Sequence, residues 1–567
     1  MRKRVGLGMM SAWVAAVGVS SAATVSWDGG PDGTGTNWNE ATNWNGDALP
    51  GGGDVARFAN EGLAAGRVIT LGAEQVVGAL QLDSTLNFTI GDAAGNTAGH
   101  TLTVGGASRS EGSSGTHAIV ADLLLSGEVV WDVNGAGSVN LNKLSGSGTL
   151  RKQGAGELRL NGTTSSRTGA TIISQGTLSV SNEKQLGSGN LVVGNGVDVA
   201  TFLSRWNSTW NIDLIGNSAA VLVKSNGVFD TETAYTQSSG RTDTIGSMAV
   251  EAGGVAKLGK WGFNMTSLTG TNVTLSGGTV TSQSGGYLGP VSGTILVQSE
   301  TPVMSTLACD VRVSYKYSGG ALFTRFNVHD VAGVPVDLLV SGAINNIWDD
   351  RDGFDKVGGG VMQVTGNNTY GGRSTAEGAT RIQAGTLLVD NTEGSGTGKS
   401  FVSVAAGATL GGRGVVGGVA GYGVANVSVG GSAGNPAVVA PGSIDRGTGA
   451  HLVGTLTVGN LAAQTNNVTF GANSKLRLTI DAAGNCDRLV VNGTLSLATA
   501  TDTLELDVAD ADALPGGVYT LVTFQQLAAP GQIFETVAGL PSRGVLVYSA
   551  NAIEYHITPK GTIISVR

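Results

Sequence analysis

Two stretches of this chain, more than two hundred residues apart, carry nearly the same phrase. Lys152-Gln-Gly-Ala-Gly-Glu-Leu158-Arg-Leu160-Asn-Gly162 matches Lys356-Val-Gly-Gly-Gly-Val-Met362-Gln-Val364-Thr-Gly366. A polar loop follows each, and then a second matched phrase: Gln175-Gly-Thr-Leu178-Ser-Val180 and Ala384-Gly-Thr-Leu387-Leu-Val389. A repeated unit of this size cannot bury its apolar face alone, so it points to units stacked on one another rather than to one closed globule.

Composition narrows the kind of stack. Of 567 residues 92 are glycine, roughly twice the usual share of about 7%. No three-residue glycine period appears, and only 11 residues are proline, which excludes collagen. Charged residues make up 13%, about half the ordinary ~25%. The hydrophobic share of 41% is too high for a disordered chain. Abundant Gly, Thr, Ser, Val and Asn with few Lys or Glu favour short strands and tight turns over helix.

From about Val55 onward, short alternating runs recur, such as Val68-Ile-Thr-Leu71, Leu102-Thr-Val104, Phe401-Val-Ser-Val404 and Lys475-Leu-Arg-Leu-Thr-Ile480. Alternation places one face inward and the other outward. The gaps leave little room for crossover helices, so a doubly wound α/β sheet is not expected. The aliphatic side chains of one coil do not offset the entropy of ordering its ~20 residues, so stability must come from coil resting on coil. The reading is all-β: a parallel β-helix, or solenoid, over residues 61–500. Its ends are a Trp- and Gly-rich N-terminal cap over 24–60 and a β cap over 501–567. The stretch from about Gly194 to Asp350, which holds Trp206, Trp210 and Trp261, is expected to continue the solenoid with longer loops.

Residues 1–23 read as a secretory signal peptide. Arg2-Lys-Arg4 is the charged start, Val5 to Val19 the apolar stretch and Ser21-Ala-Ala23 the small-residue cleavage site. Cleavage takes the formal net charge from −9 to −12. The apolar stretch is short for a membrane span, and no later segment is expected to cross a bilayer as a helix. No basic stripe appears, so nucleic acid is not an expected partner. Cys309 and Cys486, the two cysteines, fall several coils apart in such a stack, well over ~30 Å. They are expected to be free, buried thiols.

The matched phrases resemble the autotransporter-associated β-strand repeat of bacterial surface and secreted passenger-type proteins. The resemblance is carried by residues 152–180 and 356–389. Weaker likenesses lie at Pro441-Gly-Ser, Gly454-Thr-Leu-Thr-Val458 and the opening Trp27-Asp-Gly-Gly. It implies a right-handed parallel β-helix of the pectin lyase-like kind, outside the bacterial cytoplasm, with no assigned chemistry. Residues 460–567 are too few and too poorly patterned for a translocator barrel, and Pro559 to Arg567 shows no apolar sorting helix. A separate secretion system, with the protein at the cell surface, outside the cell or in the periplasm, is the expectation.

Parallel β-helices also carry polysaccharide lyases and hydrolases, which need convergent carboxylates or a bound cation. The best acidic cluster is Trp348-Asp349-Asp350-Arg351-Asp352 with Asp355 nearby, most simply an exposed turn. Asp507, Asp510 and Asp512 lack the spacing of a calcium loop. His100, His117, His329, His451 and His556 are scattered, without metal-ligand spacing. There is no Gly-x-Ser-x-Gly elbow, and runs such as Gly358-Gly-Gly360 lack the partners of a phosphate loop. No catalytic residue, metal or cofactor is therefore expected. Trp27, Trp38 and Trp44 are the binding candidates, by stacking on glycans; the alternative is a hydrophobic plug over the first coil. The function expected is that of a non-enzymatic, exported structural or adhesin-like element making multivalent contacts with glycans or other cell-surface components. The alternative is a carbohydrate-binding or polysaccharide-degrading β-helix.

Overall fold

A computed structural model describes residues 22–559, apart from 92–98, 112–113, 163, 206–212, 233–241, 260–261, 266–269, 283–284, 290–292, 314–322, 347–352, 372–378, 419–425, 460–465, 498–500 and 509–513. The signal-peptide residues 1–21 lie outside this range, as do Trp206, Trp210, Trp261 and Trp348. No α-helix occurs among the described residues, and the one helical turn is a 3-10 turn at Ala41–Asn43.

Two long parallel ladders make up the rod. The first begins with Thr24–Trp27 against Val55–Ala59, passes through Thr149–Gln153 and Gly353–Val357, and reaches Gly517–Leu527. The second runs from Val68–Ile69 through Glu157–Leu160 and Val361–Val364 to Thr536–Ala538. Along most of the chain, strands of the two ladders alternate, although successive strands at places share one ladder, as Val68–Ile69 and Gln75–Val77 do. The backbone thus passes from one sheet to the other and returns one strand higher: a parallel β-helix.

The 194–350 region differs in one respect from a plain continuation. Thr242–Ile245, Gly262–Met265, Tyr287–Gly289, Asp310–Arg312 and Ile344–Asn345 stack as a third parallel sheet. What reads in sequence as longer loops is partly a third wall.

Register lines the interior with columns of like side chains. Val139, Leu158, Leu178, Phe202 and Phe229 sit one above the other, and each is fully buried. Phe202 and Phe229 stack with centroids 5.1 Å apart and planes 10° from parallel. Alternation explains this, because a one-residue slip would turn the whole column to solvent.

The boundaries shift at both ends. Parallel pairing already starts at Thr24, inside the range read as N-terminal cap. It continues through Thr503–Val508 and Thr536–Ala538, inside the range read as C-terminal cap. Only Gly544–Tyr548 and Ala552–Ile557 turn antiparallel there. Both cysteines are free; Cys309 is buried, but Cys486 is only half-buried, against the expectation that both would be enclosed. Cys486 follows a tight turn at Asp481–Gly484 on the flank, which sequence spacing does not reveal. Burial pushes both thiols up to about 12, so neither is a ready nucleophile.

Candidate functional site

The three candidate tryptophans meet at one point and none reaches solvent. Trp27, Trp38 and Trp44 are each 0% exposed. Trp44 packs edge-on against Trp27 and Trp38, at 5.0 and 4.9 Å between centroids, and all three lie within 6.2 Å of Phe58. The Trp44 Nε1–H donates to the Trp38 carbonyl at 2.8 Å. No indole face is open to a sugar. The reason is local: residues 28–45 fold back across the first coil and lay their apolar rings on its open interior, which would otherwise be wet.

Of the acidic candidates, Asp355 and Asp507 are among the described residues, and Asp507 is exposed. Residues 349–352 lie outside the described residues, and so do Asp510 and Asp512. Asp355, buried, is held in a two-bond fork by Arg381, at 2.5 and 2.9 Å, and the guanidinium also lies 3.5 Å from the Phe323 ring centroid. Other charges bind rung to rung in the same way: Lys143 to Asp122 at 2.6 Å, Arg151 to Glu128 at 2.5 Å, and Lys475 and Arg477 to Glu505. Burial pushes the Asp243 carboxyl up to about 8. Its oxygens accept the Leu214 and Thr244 amides, which makes it a backbone cap rather than a free acid. Among the described residues no three His, Cys, Asp or Glu side chains gather as a metal set. A cleft of about 620 Å³ is an open depression lined by Glu251, Ser276, Gln298, Glu300 and Thr301.

Two features escape a motif search. One is the lysine that opens each repeat. Leu150 and Lys152 share a strand face, as do Phe354 and Lys356, so alternation itself sends both lysines inward. Each is fully buried. Lys152 Nζ donates to the carbonyls of Gln153, Gly154 and Gln175 at 2.8, 2.6 and 3.1 Å. Lys356 Nζ donates to Val357, Gly358 and Ala384 at 3.1, 2.8 and 3.0 Å. The ammonium gathers the carbonyls of a corner where the chain leaves one sheet for the other, and of the corner one rung above. Burial draws both lysines down to about 8, with Asp132 and Asp337 respectively opposing the shift.

The other is a hairpin, Ser443–Ile444 with His451–Leu452, an antiparallel excursion between Ala437–Pro441 and Thr455–Val458 that leaves both ladders continuous. Gly442, at φ +95°, reverses the chain, and Gly412 and Gly442 exchange both backbone hydrogen bonds. The hairpin lies back along an outward row of the second sheet, Leu339, Gln363, Leu388 and Gly411 in register. Leu339, Gln363 and Leu388 are only 8%, 3% and 3% exposed despite facing outward. Arg446 Nε donates to Gln363 Oε1 at 2.7 Å, Ser443 Oγ donates to Asp390, and Gly449 reaches Pro335. At its base, His451 Nε2 lies 2.8 Å from the buried Asp487 carboxylate, which also accepts the amides of Gly454 and Thr479. That bond raises the His451 pKa, so its contribution is complete in acid and is lost as pH rises through the raised value. Ser443 is bound to Asp390 and His451 to Asp487, which is not the relay of a nucleophilic triad.

Residues 150–180 and 354–389 match the family described as Passenger-associated-transport-repeat. Each match covers one strand of the first sheet, its buried lysine, and the two following second-sheet strands with the intervening loop and first-sheet strand. No curated protein matches the chain. No helix among the described residues is long and apolar enough to cross a membrane. The repeat and the parallel ladders together support an exported β-helical protein.

Proposed function

We propose that the protein is a non-enzymatic scaffold of the bacterial surface or its surroundings, whose flanks make many weak contacts with glycans or other surface components. The observation that carries this reading is how the carboxylates are used. The buried Asp355, Asp243 and Asp487 and the half-buried Asp390 are each occupied by a neighbouring rung, turn or hairpin. The outward rows are polar and repetitive instead. Thr177 and Thr201 are successive members of one row, and after Val228 and Val255 the pair Thr279 and Thr306 continues it higher up the rod. Like groups on neighbouring rungs, ~4.8 Å apart, suit accumulation of weak contacts rather than one deep pocket.

Cell fractionation tests the location: the chain belongs in the outer-surface, culture or periplasmic fraction, and a cytoplasmic chain would end this reading. Binding to glycan-coated beads tests the mode. Retention should fall steeply as glycan density is lowered, while monomeric sugar competes poorly. Shortening of a polysaccharide on incubation, abolished in a Glu251→Gln, Glu300→Gln variant, would replace the scaffold with an enzyme acting in the open cleft.

A further inference from the structure

The two ends of the rod are finished differently. At the N-terminal end a returning segment pairs with the first-sheet edge and with the start of the second sheet. Trp27 bridges Trp44 in antiparallel fashion, and Asn45 donates to Ser26. On the other sheet, Trp38 donates to the Thr70 carbonyl and Thr70 donates to Thr36.

At the opposite end, Thr536–Ala538 is the last rung of the second sheet. It pairs with Thr503–Val508 below and with no described strand above. Register places Val537 in the inward column over Leu476 and Leu504. Leu476 and Leu504 are 0% exposed, but Val537 is 39% exposed: the dry interior opens to water here. The first sheet runs further. Ala552–Ile557 adds antiparallel to Gly517–Leu527, and Gly544–Tyr548 adds antiparallel to that, with Val545 62% exposed. In hydrogen-bond order the end is a step two strands high, ~10 Å. Neither free edge carries a charge or a proline, the usual devices against pairing.

We propose that this end is a self-association surface. Two copies meet tail to tail about a two-fold axis, with Gly544–Tyr548 of each pairing to Thr536–Ala538 of the other. Strand sense permits it. Two antiparallel reversals return Gly544–Tyr548 to the sense of Gly517–Leu527, which is opposite to that of the second-sheet strands in a two-sheet coil. An axis lying between the sheets, along the strands, exchanges the sheets and keeps that sense, so both new pairings are antiparallel. Each two-strand step fills the notch of the other copy and covers its Val537. The interface is closed and self-complementary. A head-to-tail stack lacks a matching two-edge step, because residues 28–45 already pair with the first-sheet edge and with Thr70 at the N-terminal end. This selects a second copy, in the same orientation at its own tail, as the occupant.

Sedimentation velocity of the purified full chain, from about 1 to about 100 µM, tests it, because an end this small fits a weak dimer. The expected result is a doubling of mass within that range. Val545→Lys, at an open position, should weaken the dimer at least ~10-fold with an unchanged melting midpoint, since a charge blunts an edge. Val199→Lys, 67% exposed but in mid-rod, should leave it intact. A monomer at every concentration overturns the proposal, and so does a dimer indifferent to Val545→Lys. A dimer that appears only when residues 560–567 are removed would make that tail the occupant of the notch. Open-ended growth in mass would mean head-to-tail stacking instead.

Discussion

The two repeats, 150–180 and 354–389, close the same corner with the same residue but fill the loop beside it with different ones. At the corner, Lys152 and Lys356 each hold three carbonyls, and Gly176 and Gly385 follow at φ +68° and +66°. A methyl group on Gly176 would meet the Gly154 carbonyl oxygen at 2.3 Å, and one on Gly385 the Gly358 oxygen at 2.5 Å. In the loop, the first repeat buries Arg167. Its guanidinium donates to the carbonyls of Gly148, Gly169, Ala170 and Leu186, at 2.7–3.1 Å, and to Thr171 Oγ1. The second repeat buries Tyr370, whose hydroxyl meets Thr380 Oγ1 and whose ring packs on Phe354 at 5.4 Å. The corner is fixed by backbone geometry, which recurs in every copy of the turn. The loop needs only volume and satisfied carbonyls, which a polar fork or an aromatic ring can each supply.

The largest effect that would sharpen this contrast is loss of the fork. Arg167→Ala leaves several buried carbonyls without donors and should lower stability by ~4 kcal/mol in denaturant unfolding. A cost under ~1 kcal/mol would mean that water substitutes for the fork.

Next comes pH. Both lysines are held at about 8 in the folded chain, below their ordinary value, so between about 8 and 10.5 the unfolded chain binds more protons than the folded one. The two raised thiols act with the opposite sign above about 9, so the lysine part is read by difference: relative to a Lys152→Met, Lys356→Met variant, the stability of the native chain should rise with pH across that window, by up to ~3 kcal/mol for each lysine. Parallel pH profiles for the two proteins would show that the lysines do not titrate there.

At neutral pH the single replacements Lys152→Met and Lys356→Met should each cost ~2 kcal/mol, because orphaned carbonyls outweigh the relief of removing a buried charge. The two values should agree within ~1 kcal/mol, matching their equivalent partners. A large disagreement would break the equivalence of the corners. The smallest effect is Tyr370→Phe, which removes one hydroxyl contact and leaves the ring, at ~1 kcal/mol. If it equals Arg167→Ala, the loops are not the different solutions they look.

Much of this architecture is legible without coordinates. The alternation in Leu150, Lys152, Leu158 and Leu160 assigns faces correctly, and the repeated Gly-Thr-Leu phrase marks successive rungs. Alternation even shows that Lys152 points inward; what it lacks is the set of carbonyls waiting there, drawn from a rung one coil later in the chain. The tryptophans were legible as a group but not in their use. An indole with Asn neighbours has the same sequence signature on a sugar platform as in a plug, and only the return of residues 28–45 across the first coil separates the two. The hairpin over Leu339, Gln363 and Leu388 left no periodic trace, because its partners lie as much as 83 positions away.

What the sequence determined by itself is the local rule: short alternating strands, glycine corners and units too small to stand alone, which leave stacking as the way to a dry interior. What only the tertiary structure decided is where that rule stops: the third wall between 242 and 345, the strap on the flank, the sealed N-terminal coil and the stepped C-terminal one. The division has a physical cause. A strand's faces follow from its own side chains with a period of two, whereas an edge is covered or left open according to segments far away in the chain, whose return the local pattern does not encode.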